Sequence, residues 1–167
     1  MDESSAKIYE AVGNALEKTF EALAFIELFP LFDKDYEYQE KEEVVERGSV
    51  MWAKVPFVRP TDGSIQIVLS PELAANITET IYGFMEEGAL TEEVMLDAVA
   101  EITNVLAGRF FNEILNKGVS FELGLPEKGI LENESEVPTC EGKTYCLNFA
   151  VEGHKLTVSL NGDNFNI

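Results

Sequence analysis

Cations are scarce in this sequence: 12 Lys+Arg stand against 31 Asp+Glu, a formal net charge of −19. A nucleic-acid backbone or an anionic lipid surface would be repelled by such a chain, so neither is expected as a partner. Histidine is scarcer still. His154 is the only one and falls in a predicted turn, which leaves a His-rich zinc site or a Ser/His/Asp triad little to build on. The two cysteines, Cys140 and Cys146, are separated by five residues rather than by the two of a CxxC motif. They read as small, partly buried thiols in a reducing compartment. No apolar run approaches bilayer length, and the acidic start Met1-Asp2-Glu3-Ser4-Ser5 is unlike a secretory signal. A soluble, cytoplasmic protein is expected.

What is present fits one globular unit. The 167 residues are 46% hydrophobic and 26% charged, and no repeat, low-complexity tract or domain boundary interrupts residues 1–167. Ile8, Ala11, Val12, Ala15, Leu16, Thr19, Phe20 and Leu23 recur at helical spacing, predicting a helix from Ser5 to Ile26 with Ser4 or Ser5 as cap and Pro30 beyond its end. The charged stretch Asp33 to Glu46 reads equally as an edge strand or a loop. Ser49–Val58 and Ser64–Leu69, with β-favouring Val50, Trp52, Val55, Phe57, Ile65, Ile67 and Val68, read as a hairpin about Arg59-Pro60-Thr61-Asp62-Gly63. Ser70-Pro71 then opens a helix running to Tyr82. Thr91, followed by Glu92 and Glu93, opens another that runs to Asn116, with Gly118 as its stop. A strand over Val119–Leu125, a polar loop over 127–142 and a hairpin of Tyr145–Val151 and Leu156–Leu160 complete the chain. Hairpins imply mainly antiparallel pairing, so the fold class is α+β, an antiparallel sheet packed with long helices.

The helix beginning after Thr91 carries the functional signal. On a wheel of roughly 100° per residue, Met95, Ala98, Val99, Ile102, Val105 and Leu106 cover an apolar arc. Opposite them, at spacings of four, three and four, lie Asp97, Glu101, Asn104 and Gly108 in one line along the axis. Solvated helix surface is one reading of that line. Yet Asn104 and Gly108 are poor helix formers for exposed interior positions, where glycine costs about 1 kcal/mol relative to alanine. Glycine also lowers the surface so that another chain can approach closely.

The string Asp97-Ala-Val-Ala-Glu101-Ile-Thr-Asn104, followed by Val105-Leu106-Ala107-Gly108, resembles the signature of the CheC/CheX/FliY chemotaxis phosphatases. That signature ends in a proline. Here Pro126 follows Asn104 after 21 residues, one fewer than is usual. The Ser64–Tyr82 stretch, a hairpin arm leading into Ser70-Pro71-Glu72-Leu73-Ala74, also resembles family members. Members of the CheC type carry a Glu-x-x-Asn site on each of two long helices. The first helix here offers Glu10-Ala-Val-Gly13-Asn14, with the asparagine one residue late, so the chain looks most like the single-site CheX type. Arg109 departs from the family pattern and either disturbs the site or brings a cation to the partner.

The resemblance implies that the partner is a phosphorylated CheY-like receiver domain, which carries the aspartyl phosphate and its Mg2+. No cofactor or metal is required on this chain. Asn104 would orient the attacking water, and Glu101 would pair with a lysine of the receiver. Asp97 and Gly108 would flank the contact as docking surface. A homodimer is implied by the same likeness. One alternative is a non-catalytic binding module of the same fold, serving a receiver or a flagellar or signalling protein. Another is an unrelated carboxylate hydrolase, which no Gly-rich phosphate loop or metal-ligand spacing marks.

Overall fold

Four strand segments, alternating in burial in Val50–Arg59 and Thr144–Val151 and buried more continuously in Gly63–Leu69 and His154–Gly162, build the centre of one antiparallel sheet in the computed structural model, which describes residues 1–39, 47–83, 85–138, 142–162 and 165. Strands β2 (Val50–Arg59) and β3 (Gly63–Leu69) form the first hairpin, in register from Met51↔Leu69 to Phe57↔Gly63. Strands β6 (Thr144–Val151) and β7 (His154–Gly162) form the second. Its turn residues Glu152 and Gly153 have φ of 49° and 77°, the doubly positive pattern whose twist matches that of the flanking strands. Pairing of β3 with β7 fuses the hairpins. The short β1 (Phe29–Pro30) borders β6, while β4 (Glu122–Leu123) and β5 (Glu127–Leu131) lie end to end along the free side of β2. The expected α+β class is the observed one.

Three helices cover one face of this sheet: α1 (Glu3–Leu23), α2 (Pro71–Tyr82) and α3 (Glu92–Ile114). Their apolar stripes meet the inward residues of every central strand. Ile8, Leu16 and Phe20 of α1, Leu73 and Ile77 of α2, and Ile102, Leu106 and Phe111 of α3 pack in one cluster with Val55, Phe57, Ile67, Phe149 and Val158. Phe57 and Phe111 meet edge to face with centroids 4.9 Å apart, a favoured aromatic geometry that seats α3 on β2. Ser70 and Thr91 cap α2 and α3 as their positions predict, each accepting a backbone N–H through its hydroxyl. No helix among the described residues is long and apolar enough to cross a membrane.

Several boundaries differ from expectation, each for a local reason. Asp2, rather than Ser4 or Ser5, caps α1, because its carboxylate accepts the N–H of Ser5 at 2.8 Å. The helix ends at Leu23, just before Phe25 takes a positive φ of 52°, and Pro30 joins the edge strand β1. Helix α3 stops at Ile114, where Leu115 turns extended. Gly118 serves instead the turn that Val119 closes onto the Asn116 carbonyl. The strand predicted over Val119–Leu125 shrinks to β4, and five residues assigned to polar loop form β5. Charges at Glu127 and Lys128 and the glycine at 129 mask that strand. Gly129 is nonetheless closely packed there, since a Cβ would stand a tight 3.0 Å from the Trp52 indole nitrogen. Asp33–Gln39 is turn and irregular chain with one bridge, Phe32↔Tyr38. The remainder of the ambiguous acidic stretch, at 40–46, and Cys140 lie outside the described residues. Cys146 is exposed on β6, not partly buried, because it occupies the strand's outward-facing register.

Candidate functional site

The 3.6-residue period of α3 sets the site. Ala98, Val99, Ile102, Leu106 and Phe110 go into the core, and the opposite line emerges as the wheel requires. Asp97 and Glu101 are exposed, and Asn104 and Gly108 are half-buried. Asp97, Glu101 and Asn104 line one open cleft of about 630 Å3, together with Ala100. Two other elements complete it. Tyr82 comes from the end of α2. Gly124, Leu125, Pro126 and Lys128 come from the β4–β5 turn and the start of β5.

The β4–β5 turn is shaped by a glycine. The Gly124 N–H donates to the Pro56 carbonyl at 2.7 Å, and a Cβ on residue 124 would come within 2.8 Å of the Pro56 ring. Only glycine lets the chain lie this close. The register shift between Phe57 and Arg59 marks the same irregularity on the partner strand. The outcome is that Leu125 and Pro126 share a cleft with α3. Pro126 therefore reaches the site despite its shortened spacing.

Two kinds of polar group meet here. Asp97 is taken up within the chain by an ion pair with Lys128 of β5. Both side chains are partly exposed, so the pair adds little stability, but it ties the first turns of α3 to the sheet edge. Glu101 and Asn104 differ. Neither side chain has a hydrogen-bond or ion-pair partner among the described residues. A carboxylate and a carboxamide one helical turn apart thus face an open cleft with their bonding capacity unused. No group of three or more His, Cys, Asp or Glu among the described residues is placed to hold a metal ion.

Gly108 and Arg109 do not line the cleft. The Arg109 Nε is buried without a hydrogen-bond partner among the described residues. A Cβ on Gly108 would meet nothing within 4 Å, and its backbone is ordinary helix. Gly108→Ala should therefore stabilise the fold by up to about 1 kcal/mol through helix propensity alone. Urea denaturation reads this directly, and a lower midpoint in the variant would contradict an open helical position. Tyr82, Leu125 and Lys128 were not singled out from the sequence. Leu125 read as the end of a strand and Lys128 as part of a loop. The one available signal was Gly124 just before Leu125-Pro126, a mark of irregular backbone.

Comparison with known proteins gives a consistent picture. The family model described as chemotaxis phosphatase CheX matches residues 51–149, a span that contains the whole cleft. No curated protein sequence matches the chain. Among solved structures, the chemotaxis protein CheX from Vibrio vulnificus superposes with a TM-score of 0.70 at 21% identity, covering 97% of this chain and 100% of that one. A CheC-like superfamily protein from Shewanella sp. PV-4 gives a TM-score of 0.70 at 21% identity, covering 98% and 99%. The CheX-CheY-BeF3-Mg2+ complex from Borrelia burgdorferi gives 0.65 at 17% identity, covering 92% and 96%.

Proposed function

The chain belongs to the CheX chemotaxis phosphatase family, and from that premise we propose that Glu101 and Asn104 enter the phosphorylation pocket of a CheY-like receiver domain and promote hydrolysis of its aspartyl phosphate. The observation that carries this reading is the pair itself: two polar groups without partners among the described residues, one turn apart, on one helix in an open cleft. The occurrence of the fold in a complex with CheY supports the class of partner.

The Asn104 carboxamide accepts a hydrogen bond from a water through its oxygen and donates through its nitrogen, which holds the water in line with phosphorus. The water oxygen attacks phosphorus as the bond to the receiver's aspartate oxygen breaks. The carboxylate is restored and inorganic phosphate leaves. Glu101, at the exposed rim, pairs with a receiver lysine and sets the depth to which α3 enters. Mg2+ on the receiver would neutralise phosphoryl charge, and this chain contributes no ligand to it. Rate enhancement comes from placing a water, with no covalent intermediate on this protein. Asp97, held by Lys128, and Gly108 flank the contact.

The deciding experiment follows phosphate release from a phosphorylated receiver with and without the protein. Acceleration is expected. Tight binding without acceleration would leave the non-catalytic binding module instead. The same reading takes residues 1–167 as one cytoplasmic domain acting as a homodimer. Light scattering should then return twice the mass of the chain, and a monomer mass would remove the dimer from the account.

A further inference from the structure

Leu125 is 87% exposed, beside the polar cleft rather than away from it. Leucine in so open a setting contributes nothing to the fold, and it leaves most of its apolar surface in water. Nor is it on a loose loop. The N–H of Gly124 is bonded to Pro56, Pro126 restricts the backbone on the other side, and β4 and β5 pair with β2 before and after it. Tyr82, 52% exposed, adds a second apolar group to the same cleft from α2. The surroundings are polar: Glu101, Asn104 and the Asp97–Lys128 pair.

An apolar side chain on a held backbone, ringed by polar groups, is the anatomy of an interface anchor. Its backbone being already held in place, docking orders little more than the one side chain. The hydrogen bonds of Glu101 and Asn104, by contrast, exchange water for protein partners and give modest net affinity. We propose that Leu125 is the apolar anchor by which this protein docks on the receiver domain, seating against apolar surface beside the phosphorylation pocket so that Glu101 and Asn104 arrive in register. The inference rests on the functional reading above, and the occupant is the same receiver, because Leu125 and Asn104 line one continuous cleft.

The test titrates a beryllofluoride-activated receiver against the parent protein, Leu125→Ala and Leu125→Met, alongside steady-state hydrolysis of the phosphorylated form. Removing three carbons from a buried contact predicts a Kd and a KM raised roughly ten- to fifty-fold for Leu125→Ala, with the loss in KM rather than kcat. Leu125→Met, of similar volume, should restore most of it. Thermal denaturation of Leu125→Ala should match the parent, since the side chain is outside the core. Parent-like binding by Leu125→Ala while the parent hydrolyses the phosphoreceiver would overturn the anchor and leave the phosphatase standing. Weakened binding by Leu125→Ala in a protein that never accelerates hydrolysis would keep the anchor and overturn the phosphatase. A parent that binds no activated receiver would overturn both.

Discussion

Replacing Asn104 by alanine should slow receiver dephosphorylation by about 10²- to 10³-fold, the range typical of deleting one preorganised polar group at a reacting centre. The fold should survive. Asn104 is half-buried, outside the apolar cluster, and bonded to nothing else among the described residues, so its amide leaves no orphaned partner behind. Alanine is also the better helix former, so the variant should melt no lower than the parent. Binding to a beryllofluoride-activated receiver should change far less than rate, because the amide acts on water in the reacting complex. Single-turnover phosphate release separates the two. An Asn104→Ala protein with the parent's rate constant would remove the residue from the reaction.

Glu101→Lys should act on binding first. It replaces an attraction to a receiver lysine with a repulsion, and like-charge juxtaposition at an interface costs several kcal/mol. A loss of affinity of roughly 10²-fold or more is expected, steeper at low ionic strength where screening is weakest. The new lysine lies one turn from Asp97, which favours an internal ion pair, so Glu101→Gln is the cleaner companion: it removes charge without adding a partner. The most specific check is compensation. Exchanging the receiver lysine for glutamate should restore affinity to Glu101→Lys but not to the parent. Unaltered affinity for the charge-reversed protein would place Glu101 outside the interface.

The two residues carrying these predictions were legible in the sequence because they follow from a local rule. Asp97, Glu101, Asn104 and Gly108 fall on one line at helical spacing, and of the apolar residues opposite, Ala98, Val99, Ile102 and Leu106 bury as that spacing requires, while Met95 and Val105 stay half-buried. Ser70-Pro71 and Thr91 marked helix starts, and Glu152-Gly153-His154 marked a hairpin turn, since caps and turns are decided within four or five residues; the turn itself is tighter, for His154 already pairs with Val151 as the first residue of β7. Where expectation failed, the deciding contact was remote. Residues 127–131 carry a strand's hydrogen bonds only because β2 offers them a free edge. Pairing of that kind overrides weak local propensity.

The chain alone thus determined the α+β class, the helix that carries the site, and the face on which its amide and carboxylate stand. Periodicity is an intrinsic property of a segment. Tertiary structure decided what lies across from that face. It brought in Leu125 from the β4–β5 turn, Lys128 from the edge strand β5 and Tyr82 from another helix, engaged Asp97 in an internal pair, and left Gly108 outside the cleft. It also left Glu101 and Asn104 without partners among the described residues. These outcomes depend on which surfaces meet when helices and sheet pack together, and no single segment encodes the other side of its own contact.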